Sequence, residues 1–186
     1  MKSWLLCVIL ASAMALGSPA TSEWRPGEKL PELRGEYLSG RRAVLPQDAS
    51  GRVALLLFGF SYDSRFQVES WTKRFRADFD KNSKATFYEI PMIGGVARLG
   101  KWFIDGGMRR GTPKADHEHV ITVYGGTESW KERLDFRAQD DAYLVLLDPQ
   151  GTVVWRYAGP VDDRNYRDLA AHVSQLISEQ PGIPIG

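Results

Sequence analysis

The side chains in this 186-residue chain that could do chemistry are few and widely spaced. Its one cysteine, Cys7, lies in an N-terminal hydrophobic run, so a chain trimmed of that run has no thiolate to exchange a disulfide or attack a peroxide. Asp116-His117-Glu118-His119 is the only metal-like spelling: on a strand the two histidines would share a face, and His172 on a later helix would have to supply a third ligand. Two ligands at that spacing do not make a site. The expected reading is a loop-to-strand junction, with no metal and no other cofactor. Hydrolysis finds no Gly-x-Ser-x-Gly and no phosphate-cradling glycine loop, so no catalytic residue is assigned. The remaining candidate is Tyr62, Asp63, Ser64 and Arg65, where a buried strand gives way to a helix and backbone N–H groups concentrate positive potential. Either Asp63 or Ser64 caps that helix, or Tyr62, Asp63 and Arg65 form a polar rim over an apolar recognition pocket. Arg109, Arg110 and Lys114 pose a similar choice between an anionic partner patch and cations favoured at a helix C-terminus.

The ends bound the function classes. Lys2, an apolar stretch from Trp4 to Leu16, and Ser18-Pro19-Ala20 spell a removable export signal over residues 1–20. The run is shorter than the ~20 residues that span a bilayer, so an exported protein, periplasmic or extracellular, is expected, membrane-associated only if the run is retained. A lipid-anchored reading through Cys7 is disfavoured because that residue follows Lys2 too closely. About 166 residues then remain, enough for one domain over 21–180 that folds without disulfides, followed by a Pro/Gly-rich tail at 181–186. Loss of Lys2 leaves 23 cationic against 23 anionic side chains, which gives no pull toward nucleic acid.

Periodicity supplies the elements that must hold the candidates. The continuous apolar run 53–60 predicts a central strand covered on both faces. Phe66, Val68, Trp71, Phe75 and Phe79 fall largely at three- and four-residue steps and predict an amphipathic helix. A strand at 85–92 and a helix at 94–108 follow, the latter with Val96, Leu99, Trp102, Phe103 and Met108 as its buried stripe. Residues 119–124 predict a short strand, 127–132 a short helix capped by Thr127, and 142–147 with 152–157 a hairpin around Asp148-Pro149-Gln150-Gly151. A final helix covers 162–177. Earlier, Ser39-Gly40 reads as a hairpin turn within 35–48. Of the tryptophans, Trp71 and Trp102 fit core faces, and Trp24 and Trp130 are candidates for exposed anchors.

A parallel βαβ beginning and an antiparallel hairpin plus helix at the end resembles the thioredoxin-like superfamily, an α/β fold with a central mixed sheet flanked by helices on both faces. The lead-in Pro26-Gly27-Glu28-Lys29-Leu30-Pro31 and the glycine before the central strand, Gly51, are similar to its exported thiol-redox and peroxiredoxin-like branches. Laying Tyr62 on the family's tryptophan puts Asp63 and Phe66 where that family carries its cysteines. Asp140-Asp141-Ala142 stands where it carries a substrate-binding cis-proline, and no cis bond is expected there. Ser70-Trp71, Leu146-Leu147-Asp148, Gly151, Trp155-Arg156 and Gly159 give a narrower resemblance, over residues 53–178, to the thioredoxin-like assembly factors of the mitochondrial ATP synthase and their bacterial relatives. That resemblance implies a non-redox binding, assembly or chaperone role toward a protein client, such as a membrane complex. The competing expectation is an enzyme with a non-cysteine mechanism in the same cleft, metal-assisted through His117 and His119.

Overall fold

The computed structural model describes residues 27–94 and 100–180. The expected signal at 1–20, with Trp24, Val96, Leu99 and the tail at 181–186, lies outside the described residues. Eleven elements follow in chain order: β1 (Leu33–Tyr37), β2 (Arg42–Leu45), β3 (Val53–Gly59), α1 (Ser64–Phe79), β4 (Ala85–Pro91), α2 (Lys101–Gly111), β5 (Ile121–Thr122), α3 (Thr127–Arg133), β6 (Tyr143–Leu147), β7 (Val153–Ala158) and α4 (Asp163–Glu179).

Every residue of β3 is buried, as its unbroken apolar run requires. It pairs in parallel with β4 and antiparallel with β6, giving a mixed sheet in the order β4-β3-β6-β7. A smaller antiparallel sheet, β2-β1-β5, is joined to the edge strand β4 by parallel bridges between Glu89 and Val120 and between Met92 and Val123. Alternation along β3 sends Leu55 and Leu57 to one face, where Val68, Trp71 and Phe75 of α1 and Leu169 and Val173 of α4 cover them. Leu56 and Phe58 point to the other face, against Trp130 and Leu134 from α3 and its C-terminal end. Asp162 caps α4, its carboxylate accepting from the Asn165 N–H at 2.8 Å.

Five expectations meet a different arrangement. Phe66 points outward at 55% exposure; α1 buries its stripe only from Val68 onward. Trp102 and Phe103 are 79% and 65% exposed, because α2 turns Asp105 inward instead. Asp105 accepts from the Tyr124 hydroxyl at 2.6 Å and from Lys101 at 2.5 Å, and Lys101 also pairs with Glu36 at 3.3 Å. Arg109, weighed between a partner patch and a cation favoured at a helix C-terminus, instead donates to the Leu38 carbonyl at 2.6 Å and pairs with Glu36 at 3.6 Å. Helix α2 is therefore clamped to the body by charges and hydrogen bonds more than by an apolar stripe. Burial, with Asp105 alongside, pushes the Tyr124 phenol up, so it stays a donor in that clamp. Trp130 is no exposed anchor: it is 8% exposed and stacks on Phe58 at 5.5 Å. The N-cap of α3 is Gly126, in the left-handed region at φ 65°, and Thr127 is the first helical residue.

Candidate functional site

The turn from β3 into α1 is built by two serines. Ser61 Oγ accepts from the Ser64 N–H at 2.9 Å, and Ser64 Oγ donates to the Ser61 carbonyl at 2.8 Å. Asp63 occupies the N-cap position with helical φ and ψ and makes no side-chain capping bond, so its carboxylate stays at the surface. Ser64 therefore takes part in the cap, and its partner is Ser61, not Asp63. Gly59 makes room for this: a Cβ there would lie 2.7 Å from Ser64 Oγ.

The same turn is stitched to the segment before β6. Ser61 Oγ donates to Asp140 at 2.7 Å, Gln67 Nε2 donates to Asp141 at 3.1 Å, and Gln67 Oε1 accepts from the Ala142 N–H at 3.1 Å. Among the described residues the cis peptide bond is Leu45–Pro46, outside this segment.

Beside this turn, between α1 and α2 and over the C-terminal end of β4, opens a cavity of about 620 Å³. That is the size range of small-molecule sites. Val68, Ile90, Phe103, Ile104 and Met108 give it an apolar lining, and Tyr62, Ser64 and Arg65 lie at one end. Asp63, the fourth residue of the sequence candidate, is not part of the lining. Two exposed aromatic rings, Tyr62 at 73% and Phe103, line the cavity, and two more lie beside them: Trp102 meets Phe103 at 5.9 Å, and Phe66 shares the Arg65 guanidinium with Tyr62. Arg65 lies over the Tyr62 ring at 3.8 Å and the Phe66 ring at 4.5 Å, which holds that edge as one amphipathic ridge.

Sequence reasoning passed over the carboxylate in this cavity. Glu89 lies in β4, on the same face as Phe87, and lines both the large cavity and a smaller one of about 210 Å³ beside it. Burial pushes its carboxyl up from the usual carboxylate range; the Thr72 hydroxyl works against this, and the negative charges of Glu69 and Asp116 add to it. No hydrogen bond of ordinary geometry reaches Thr72 Oγ1, although the residue is only 6% exposed. The signal was present in the sequence as one carboxylate inside Phe87-Tyr88-Glu89-Ile90, at a position whose alternation faces α1.

The sign of the Glu89 shift makes a prediction. The folded chain holds this proton more tightly than the unfolded chain, so stability is full below about pH 4.5, the ordinary value, and falls as pH rises through the higher folded value. Glu89→Gln removes that loss. Its melting temperature is expected to exceed that of the wild type at pH 8, with the difference shrinking toward pH 4; a difference independent of pH would refute the assignment.

The histidines are held elsewhere. His117 Nε2 donates to the Thr112 carbonyl at 3.0 Å, and His119 Nδ1 donates to the Phe87 carbonyl at 3.0 Å while its ring stacks on Phe87 at 4.4 Å. Residues 117–119 form a turn, not the strand that would have put both rings on one face. Among the described residues no three His, Cys, Asp or Glu side chains gather as a metal site.

No protein-family model and no curated protein matches the sequence. Solved structures do match. The thioredoxin domain of a thiol-disulfide oxidoreductase from Bacteroides vulgatus superposes with a TM-score of 0.55 at 20% identity, over 81% of this chain and 99% of that one. BsSco, a member of the Sco family of cytochrome c oxidase assembly proteins, gives 0.59 at 14% identity, over 84% and 98%. The exposed lipoprotein thioredoxin of Streptococcus pneumoniae gives 0.54 at 12% identity, over 78% and 99%. The chain has a thioredoxin-like fold. Asp63, at the end of the β3–α1 turn, and Phe66, in the first turn of α1, stand where the sequence resemblance puts the cysteines.

Proposed function

We propose that this protein is an exported, non-redox binding module that grips an apolar segment of a protein client, in the manner of an assembly factor or chaperone. The observation that carries the reading is a cluster of exposed aromatics at an apolar cavity, Tyr62 and Phe103 in its lining with Phe66 and Trp102 beside them. Large aromatic side chains left in water cost free energy unless a partner covers them, and such residues concentrate in interface hot spots. A single cysteine, in the N-terminal hydrophobic run, fits a role without thiol chemistry. The structural likeness to a Sco-family assembly protein and to an exposed lipoprotein favours a client at or near a membrane. Among the described residues no helix is long and apolar enough to cross a membrane.

The test is retention of proteins from detergent-solubilised envelope by the purified chain and by the double variant Tyr62→Ala/Trp102→Ala. Both residues are exposed, so the variant should melt within about 0.5 kcal/mol of the wild type. One protein or complex held stoichiometrically by the wild type, and at least about tenfold more weakly by the variant, is the expected result. Equal retention by both would refute the aromatic ring as the gripping surface.

A further inference from the structure

We propose that the groove between α1 and α2 is a binding site for an apolar cation, a protonated amine on a hydrocarbon body, with Glu89, Glu69 and Thr72 as the acceptors for its charge. The inference goes beyond the client reading, because the occupant can be a free amine as well as a lysine side chain presented by a client.

Three observations converge. The first is shape: the large cavity meets the smaller one along a wall shared by Glu69, Glu89, Thr112 and Val120, and Thr72 lines the smaller side. The second is charge. Arg65 lies over the Tyr62 and Phe66 rings at the rim, and Arg76 is paired with Asp116 at 3.0 Å and with Asp80 at 3.4 Å. His119 is bound to the Phe87 carbonyl. Glu69 and Glu89 therefore form no ion pair among the described residues; Arg76 is the nearby cation that acts on Glu89, more weakly than the other influences there, and the field of the two carboxylates attracts a cation. The third is the buried Thr72 Oγ1, which lies beside Glu89 and which no hydrogen bond of ordinary geometry reaches. A buried polar atom in that condition is costly, and a ligand that supplies a donor removes the cost.

Alternatives fit less well. A neutral hydrocarbon would fill the apolar lining but seal Glu89 and Thr72 away from water unpaired. An anion would meet two carboxylates. A bare metal ion needs three or more ligands drawn together, and the described residues offer no such group. An ammonium carries three donors, one for each of the three acceptors, and its hydrocarbon body matches Val68, Ile90, Phe103, Ile104 and Met108.

The experiment is calorimetric titration of the purified full chain at pH 8 with four probes. They are 4-phenylbutylamine, the neutral 4-phenylbutanol, the anionic 4-phenylbutyrate, and a capped Leu-Lys-Leu peptide whose control carries norleucine in place of lysine. Amines of this kind are cationic at pH 8. At least one cationic probe is expected to bind ten times or more tighter than its uncharged control, with Glu89→Gln abolishing that preference. Tighter binding of the free amine names a small-molecule ligand; tighter binding of the peptide names a client lysine. Glu89→Gln is expected to be the more stable protein at this pH, so its loss of binding would not come from unfolding, and its melting curve checks that. The proposal is overturned if the alcohol or the carboxylate binds as tightly as the amine, if no probe binds, or if Glu89→Gln leaves the preference intact. An envelope experiment that retains no protein, beside a positive amine titration, would remove the client reading and leave this one.

Discussion

Trp71→Ala is expected to cost about 3–5 kcal/mol of folding stability, the range for deleting a large buried aromatic side chain. Trp71 is fully buried and sits at the junction of three elements. Its ring meets Trp155 and Tyr157 of β7 and Tyr166 of α4, with centroids at 6.4, 5.3 and 6.4 Å, and its indole N–H donates to the Gly159 carbonyl at 3.0 Å. Alanine would open a cavity, break the aromatic contacts and orphan that carbonyl. At roughly 2–4 °C for each kcal/mol in a chain of this size, the melting temperature should fall on the order of 10 °C. Trp71→Phe keeps most of the volume and should recover much of the loss. A drop of only a degree or two in thermal unfolding of Trp71→Ala would mean that α1 does not depend on this anchor. Since Tyr62 lies in the turn that leads into α1, and α1 carries Arg65 near its N-terminal end with Val68, Glu69 and Thr72 along the groove, the anchor also sets one wall of the candidate site.

The second large effect is predicted at a residue with no side chain. Gly35 faces β5, where an added Cβ would lie 2.5 Å from Ile121 Cγ2 and 2.8 Å from the Thr122 backbone carbonyl. The side chain can turn; the carbonyl is fixed in the sheet. Gly35→Ala should therefore push β1 off β5 and cost about 1–3 kcal/mol or more, the range for overpacking. The strain would spread beyond the small sheet. Val120, at the start of β5, is bridged to Glu89 and lines the groove, so the variant should also weaken amine binding. A melting temperature equal to that of the wild type would refute the fit claimed for this seam.

How much of this the sequence made legible depends on where each element finds its partners. Strand β3, helix α4 and the final hairpin were readable because their apolar residues repeat with the period of the element that buries them. The helix at 64–79 was readable for the same reason from Val68 onward, and misread at Phe66, which lies beyond the sheet's cover. Helix α2 defeated the rule. Its apolar residues suggest a buried stripe, yet its inward contact is Asp105, held by Tyr124 and Lys101, with Glu36 and Arg109 completing the clamp. Lys101, Asp105 and Arg109 repeat at four-residue steps on α2 itself, but Tyr124 and Glu36 come from separate stretches of the chain, and no local pattern announces those two. The exchange of roles between Trp102 and Trp130 follows from this. Glu89 was missed because a lone acid in a strand was not weighed against the face on which alternation puts it. Ser61 was missed as a capping partner because both candidates considered lay one helical turn too late.

The stitching of the β3–α1 turn to the segment before β6 carries a consequence for how anything can be recognised here. A chain that adds itself to a protein as an extra strand needs unpaired main-chain groups to lie against. In this segment the Asp141 N–H is taken by the Ala138 carbonyl at 3.4 Å and the Ala142 N–H by Gln67. Those two N–H groups are not open to backbone-to-backbone zippering, which lessens the tolerance for any extended sequence that such zippering gives. Discrimination then falls to side chains: ring faces at the mouth, apolar volume within, a carboxylate at depth. On the binding reading proposed above, the site would select for what a guest displays and would be indifferent to whether it arrives as a strand, a helix or a free small molecule.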